Sequence, residues 1–229
     1  MTTTVLTTTE LEDWLRRAAV LLTDHAAELT ELDAAIGDAD HGSNMSRGFR
    51  AVVEALDAGD FADPAALLKK TGMTLVSTVG GASGPLSGTL FLRLAGATGG
   101  AGSLDAATLG EALAAGVQGV ADRGKAAPGE KTMLDAWTPA LEAFRGAGDD
   151  LAAAVAAGAA AAAQGRDDTA PMTATKGRAS YLGERSVGHV DPGAASTALL
   201  WQALAEAVSG AGGDTAAGGD AGADGEAGR

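Results

Sequence analysis

The chain has 229 residues, a formal net charge of −14 and no cysteine. A cysteine-free sequence excludes a disulfide scaffold, a thiolate zinc site and a thiol nucleophile. Its acidity repels nucleic acid and anionic membrane, so an anion must be bound locally, by backbone N–H groups, a few basic side chains or a metal. Hydrophobic residues make up 46% and aromatics only 3%, so the core must be built from Ala, Leu and Val, which suit closely packed helices better than a sheet.

The N-terminus lacks a basic segment followed by an apolar run, so no signal peptide is expected and the cytoplasm is the default compartment. Thr9 and Glu12 fit a capping box, and apolar residues then recur in steps of three and four from Leu11 to Ile36. This predicts one long amphipathic helix stopping at Gly37, with Asp33 on its last turn. Further helices are expected at about 44–58, 64–78, 86–95, 105–121, 131–144, 149–164 and 193–209, separated by Gly- and Pro-rich breaks. The apolar run Leu151–Ala163 is mostly alanine and shorter than the ~20 residues of a membrane span. No convincing alternating strand pattern appears; Thr74–Val79 is the nearest approach, with glycines close on both sides. The expected fold class is all-α with about eight helices in a single domain over 1–209. Residues 210–229, a Gly/Ala/Asp tract without a large apolar side chain, are expected to be a disordered tail.

Four segments carry chemistry. In Ile36–Met45, I-G-D-A-D-H-G-S-N-M, Asp38 and Asp40 are one residue apart and Asp33 lies on the turn before. If the backbone there is extended, Asp38 and Asp40 point to one side, and Asp33 can converge with them. Three carboxylates at one point repel unless a hard cation neutralises them; magnesium takes a few carboxylates and leaves positions for water and phosphate. Read alone, the stretch also fits a solvated turn with a helix cap, but it precedes a new helix, whose first N–H groups form an anion site. His41 fits a structural hydrogen bond as well as a functional role, and His25 reads as a surface residue.

In Gly80–Gly88, G-G-A-S-G-P-L-S-G, glycine permits close backbone approach to a ligand, although a plain helix connection fits too. Gly119–Ala126 nearly matches a phosphate-binding P-loop, but Ala126 stands where Ser or Thr must hold magnesium, and its context is helical. It is rejected. The long polar stretch Gly165–Pro192, carrying Lys176, Arg178, Arg185, His189 and Asp191, reads as a lid, with Asp191 near the cap of the final helix. Arg178 and Arg185 are its candidate phosphate partners.

Together, Leu32–Phe49, Gly80–Phe91, Ala127–Trp137 and Gly177–Gly193 resemble the nucleotide-binding L subunits of bacterial, phosphoenolpyruvate-dependent dihydroxyacetone kinases. The resemblance covers roughly residues 8–209. It implies a barrel of eight antiparallel helices with the nucleotide at one end. Asp33, Asp38 and Asp40 would bind Mg2+ bridging to ADP, or ATP. His41, Gly42, Ser43 and Asn44 would contact the nucleotide at the head of a helix, with Ala82, Ser83, Gly124 and Met133 forming the rest of the pocket. Arg178, Asp191, Pro192 and Gly193 would close it from the lid. The implied reaction passes a phosphoryl group from a phosphocarrier M-type subunit to dihydroxyacetone held on a separate K subunit, and a homodimer is compatible with it. No residue of this chain is implied as a covalent catalyst; Arg178 is the candidate for stabilising the transferred group. The same residues leave three other readings: an ATP-dependent kinase subunit for another small ketose, a dinuclear metal hydrolase using Asp33, Asp38, Asp40 and His189, and a nucleotide-sensing regulatory partner.

Overall fold

The structure, a computed structural model, describes residues 5–214, with side chains to residue 210. The chain forms nine α-helices within this range: α1 (Thr8–Asp24), α2 (Ala26–Ile36), α3 (His41–Asp57), α4 (Pro64–Thr78), α5 (Ser83–Ala97), α6 (Ala106–Gly124), α7 (Leu134–Gly146), α8 (Leu151–Asp168) and α9 (Pro192–Asp214). A 3-10 segment, Arg178–Ser186, lies between α8 and α9 and turns at Gly183. The extended content among the described residues is a single bridge, in which Leu6 and Leu104 exchange two hydrogen bonds of 2.8 Å. Thr74–Thr78 is the end of α4. The all-α expectation holds.

Packing runs from α1 to α3 and then helix by helix through α4, α5, α6, α7 and α8 to α9, which returns to α1. The helix α2 stands outside this circuit and packs on α3, α9 and the 3-10 segment. Two aromatic groups anchor the core: Trp14, Phe49 and Phe91 around one set of helices, and Trp137, Phe144 and Trp201 around another. Leu and Ala fill most of the remaining interior, as a composition so poor in aromatics requires.

Several boundaries differ from expectation. The single long helix is two, bent at His25. Buried residues continue at helical spacing across the bend, from Leu22 to Leu29, Asp33 and Ile36, so spacing alone does not reveal it. The capping box is Thr7 with Glu10, two residues earlier than Thr9 with Glu12; Thr7 N donates to Glu10 at 2.8 Å. Leu6 and Leu11, both buried, occupy the positions of a hydrophobic staple and fix that start. The start of α7 comes later than expected because Lys131, at φ 61, has left-handed backbone. At the C-terminus, α9 runs to Asp214, past the expected end at 209. From residue 215 the expected tail lies outside the described residues.

Candidate functional site

The acidic cluster forms where α2 hands over to α3. Oxygen atoms of Asp33, Asp38 and Asp40 all lie within 4.8 Å of one another. Asp33 is buried, and its Oδ2 accepts hydrogen bonds from the backbone N–H groups of Asp40 at 2.8 Å and His41 at 3.1 Å. These are otherwise unpaired donors at the head of α3, which is why the helix starts at His41 rather than at 44. The expected route to convergence was wrong in detail: Asp38 and Asp40 are not on an extended strand. Ala39 between them has φ 63, and this left-handed turn gathers the carboxylates.

Two glycines make the handover sterically feasible. A Cβ on Gly37 would fall 2.0 Å from Asp33 Oδ1. A Cβ on Gly42 would fall 2.0 Å from the Ala26 carbonyl oxygen, so only glycine lets the first turn of α3 rest on α2. On the protein side, the carboxylates are offset by the positive end of α3 and by Arg178, whose guanidinium lies 2.9 Å from Asp38 Oδ2. An all-oxygen donor set of this kind suits a hard divalent cation, and Mg2+ fits it.

His41 is buried and joins three elements. Its Nδ1 is 3.1 Å from Ser83 Oγ at the head of α5, and its Nε2 is 3.0 Å from Ser196 Oγ in α9. Burial lowers its pKa, with Asp33 and Asp40 opposing, which favours a neutral ring that donates at one nitrogen and accepts at the other. His41 is thus a satisfied structural group that also lines a cavity.

That cavity has a volume of about 590 Å³. Asp33, Asp38, Asp40, His41, Ala82, Ser83, Gly124, Met133, Arg178, Asp191, Pro192 and Gly193 all line it. Gly42, Ser43 and Asn44 are not part of that lining, and the contacts they make within the chain are local. Gly42 supports the α2–α3 contact, Ser43 Oγ donates to the Asp40 carbonyl at 2.9 Å, and Asn44 packs on Gly80 while accepting from Arg47. Apolar wall residues include Ile36, Pro85, Leu86, Val120 and Leu134. Arg123, Lys131 and Lys176 also line the cavity and were not among the expected site residues. Arg123 lies in the rejected P-loop stretch, whose Gly119 and Gly124 both belong to α6. Nothing in sequence separates Lys131 from a solvated loop lysine. His189 is exposed, outside the cavity lining and outside the acidic group, so the hydrolase reading lacks its histidine.

The lid meets the cavity through Asp191. Its carboxylate accepts from Ala194 N at 2.7 Å, capping α9, and its own N–H donates to Thr169 Oγ at 2.9 Å. Burial pushes Asp191 up to about 7, against the hydrogen bond from Ala194 and the charge of Lys131, with Asp135 adding to the rise.

Known proteins resemble the chain in both sequence and fold. The DAK2 domain model matches residues 35–206. The chain is 48% identical over 203 residues to the ADP-binding subunit DhaL of the PEP-dependent dihydroxyacetone kinase of Escherichia coli (strain K12), covering 87% of this chain and 97% of that one. It is 40% identical over 200 residues to the ADP-binding subunit DhaL of the PTS-dependent dihydroxyacetone kinase of Lactococcus lactis subsp. lactis (strain IL1403), covering 86% and 96%. The crystal structure of the dihydroxyacetone kinase from C. freundii in complex with AMP-PNP and Mg2+ superposes with a TM-score of 0.71 at 26% identity, over 89% of this chain and 34% of that longer one. By the extent of the domain match and by identity to kinase subunits along nearly their whole length, this chain belongs to the DAK2 domain family.

Proposed function

We propose that the chain is the ADP-binding subunit of a dihydroxyacetone kinase, passing a phosphoryl group from a phosphocarrier protein to dihydroxyacetone held on a separate K subunit. The observation that carries this reading is the convergence of Asp33, Asp38 and Asp40 at the head of α3, inside the same cavity that the basic lid faces. Bound Mg2+ and nucleotide would supply the charge neutralisation and the transferable phosphoryl group.

The protein's own contribution is positioning and electrostatics, the main work in phosphoryl transfer. Asp33, Asp38 and Asp40 are the metal ligands. The backbone around Ala82 and Ser83 and the apolar wall at Leu86, Val120 and Met133 receive the nucleotide body. Arg178, at the rim with its side chain 67% exposed, is free to leave Asp38 and face a transferred group. Asp191, Pro192 and Gly193 border the cavity where the lid joins α9.

The test is calorimetric titration of Asp38→Ala/Asp40→Ala with ADP in the presence of Mg2+. The double variant should lose tight binding, by about a hundredfold or more, with its helical circular dichroism unchanged. Unchanged affinity would refute the metal assignment. Phosphoryl transfer from phosphoenolpyruvate to dihydroxyacetone, seen only with phosphocarrier and K subunits added, separates this reading from a hydrolase.

A further inference from the structure

Among the described residues, Lys131 is the largest fully buried charged side chain, 1% exposed. Its Nζ donates to the carbonyls of Ser186 at 2.7 Å, Thr169 at 2.9 Å and Met172 at 3.0 Å, with Ala170 further out at 3.4 Å. An ammonium has three N–H donors, and the three shorter contacts use all of them.

The partners are not scattered. Thr169 is the C-terminal cap of α8, and Ser186 ends the 3-10 segment. Both sites carry carbonyls left without helical partners, and Thr169 also stands at the negative end of α8. One buried charge therefore holds both ends of the 169–186 segment, which lies between α8 and α9. The backbone shows the same commitment: Lys131 sits at φ 61, a conformation a side-chain-bearing residue adopts at a cost and keeps only where surroundings over-determine it. Lys131 also lines the cavity, beside Thr132 and Met133. Within the fastened segment, Lys176, Gly177, Arg178 and Ala179 line the same cavity, and Arg178 reaches Asp38. Backbone bonds reinforce the closure, with Gly188 N donating to the Ala170 carbonyl at 2.8 Å and Thr175 N to the Glu130 carbonyl at 3.3 Å.

We propose that Lys131 is a positioning residue: its ammonium clasps the two ends of the 169–186 lid to the cavity floor and so sets where Arg178 stands over the acidic cluster. The consequence for ligand binding rests on the nucleotide reading above; the consequence for the lid does not. The sequence masks this role because a lysine in a polar loop ordinarily faces solvent.

Two variants test it. Lys131→Met keeps the stem and removes the donors. Lys131→Gly relaxes the left-handed backbone and leaves room for n-butylammonium, the fragment removed. Hydrogen exchange of the chain alone should show amides of 172–187 exchanging about tenfold faster or more in both variants, with α3 and α6 unchanged. Added n-butylammonium should restore protection in Lys131→Gly, and tetramethylammonium at equal ionic strength should not. In calorimetry, Lys131→Met should weaken Mg2+–ADP binding about tenfold, and this loss should shrink in an Arg178→Ala background, because the lysine acts through that arginine. A lid as protected as in the wild type, additive losses with Arg178→Ala, or global unfolding of both variants without rescue by the amine would each overturn the proposal; the last would make Lys131 a residue of general stability. If the lid loosens but the wild-type chain binds no ADP, the clasp stands and the nucleotide reading falls.

Discussion

Replacing Gly37 by Ala tests the acidic site through a single methyl group. Where backbone and space accept a Cβ, Gly→Ala stabilises by about 0.4–1 kcal/mol, because the unfolded chain loses freedom. Here the new Cβ would lie 2.0 Å from Asp33 Oδ1 and 2.9 Å from its Cγ. Ordinary contact begins at 3.4 Å, so the carboxylate must recede by about 1 Å or more. Its hydrogen bonds from Asp40 N at 2.8 Å and His41 N at 3.1 Å cannot both survive such a move. Losing one charge-assisted bond costs about 1.5–3 kcal/mol. Against the entropic gain, the net destabilisation is about 1–2 kcal/mol. For a chain of this size that is a fall in Tm of about 2–8 °C. Because Asp33 also leaves the cluster, Mg2+–ADP affinity should fall by about tenfold or more. Differential scanning calorimetry with and without Mg2+–ADP measures both effects. A Tm equal to or above wild type, with the ligand-induced rise intact, would show that the α2–α3 handover is not as tight as described.

Two further outcomes follow from other parts of the site. The folded-state pKa of Asp191 is raised from 3.8 to about 7, so the folded protein binds more protons than the unfolded chain between those values. The stability this provides is complete below about pH 4 and is lost as pH rises toward 7. Asp191→Asn, neutral throughout, should therefore gain in Tm relative to wild type between pH 5 and pH 8; a pH-independent difference would contradict the burial argument. Arg178→Ala breaks an ion pair of 2.9 Å whose side chains are 67% and 37% exposed. Such a pair is worth at most about 1 kcal/mol, so Tm should barely change. Phosphoryl transfer in the reconstituted system should nevertheless fall about tenfold or more, beyond any loss in ADP affinity. Equal losses would reduce Arg178 to a binding residue.

Local signals in the sequence mark what local physics decides. Steps of three and four among Leu, Ala and Val, punctuated by Gly and Pro, mark most of the helices, because an amphipathic helix must repeat its apolar face every turn. The three aspartates could be singled out because like charges so close in sequence need a counterion. The bend at His25 left no mark, since buried residues keep helical spacing through it. Ala39 and Lys131 adopt left-handed backbone that their residue types disfavour, so no propensity announces either turn. Gly42, Ser43 and Asn44 lie just beyond the aspartates in sequence, yet they are outside the cavity lining, while Arg123 and Lys176 arrive there from distant segments.

Composition and periodicity thus determined by themselves that this is a helical protein, and the run of carboxylates marked the stretch near residue 40 as its most charged turn. Which side chains gather there was decided only by tertiary packing. A helix's hydrogen bonds span four residues, whereas the contacts joining His41 to Ser196 and Lys131 to Ser186 span 155 and 55. Contacts at that range depend on how whole helices seat against one another, and no short stretch of sequence encodes them.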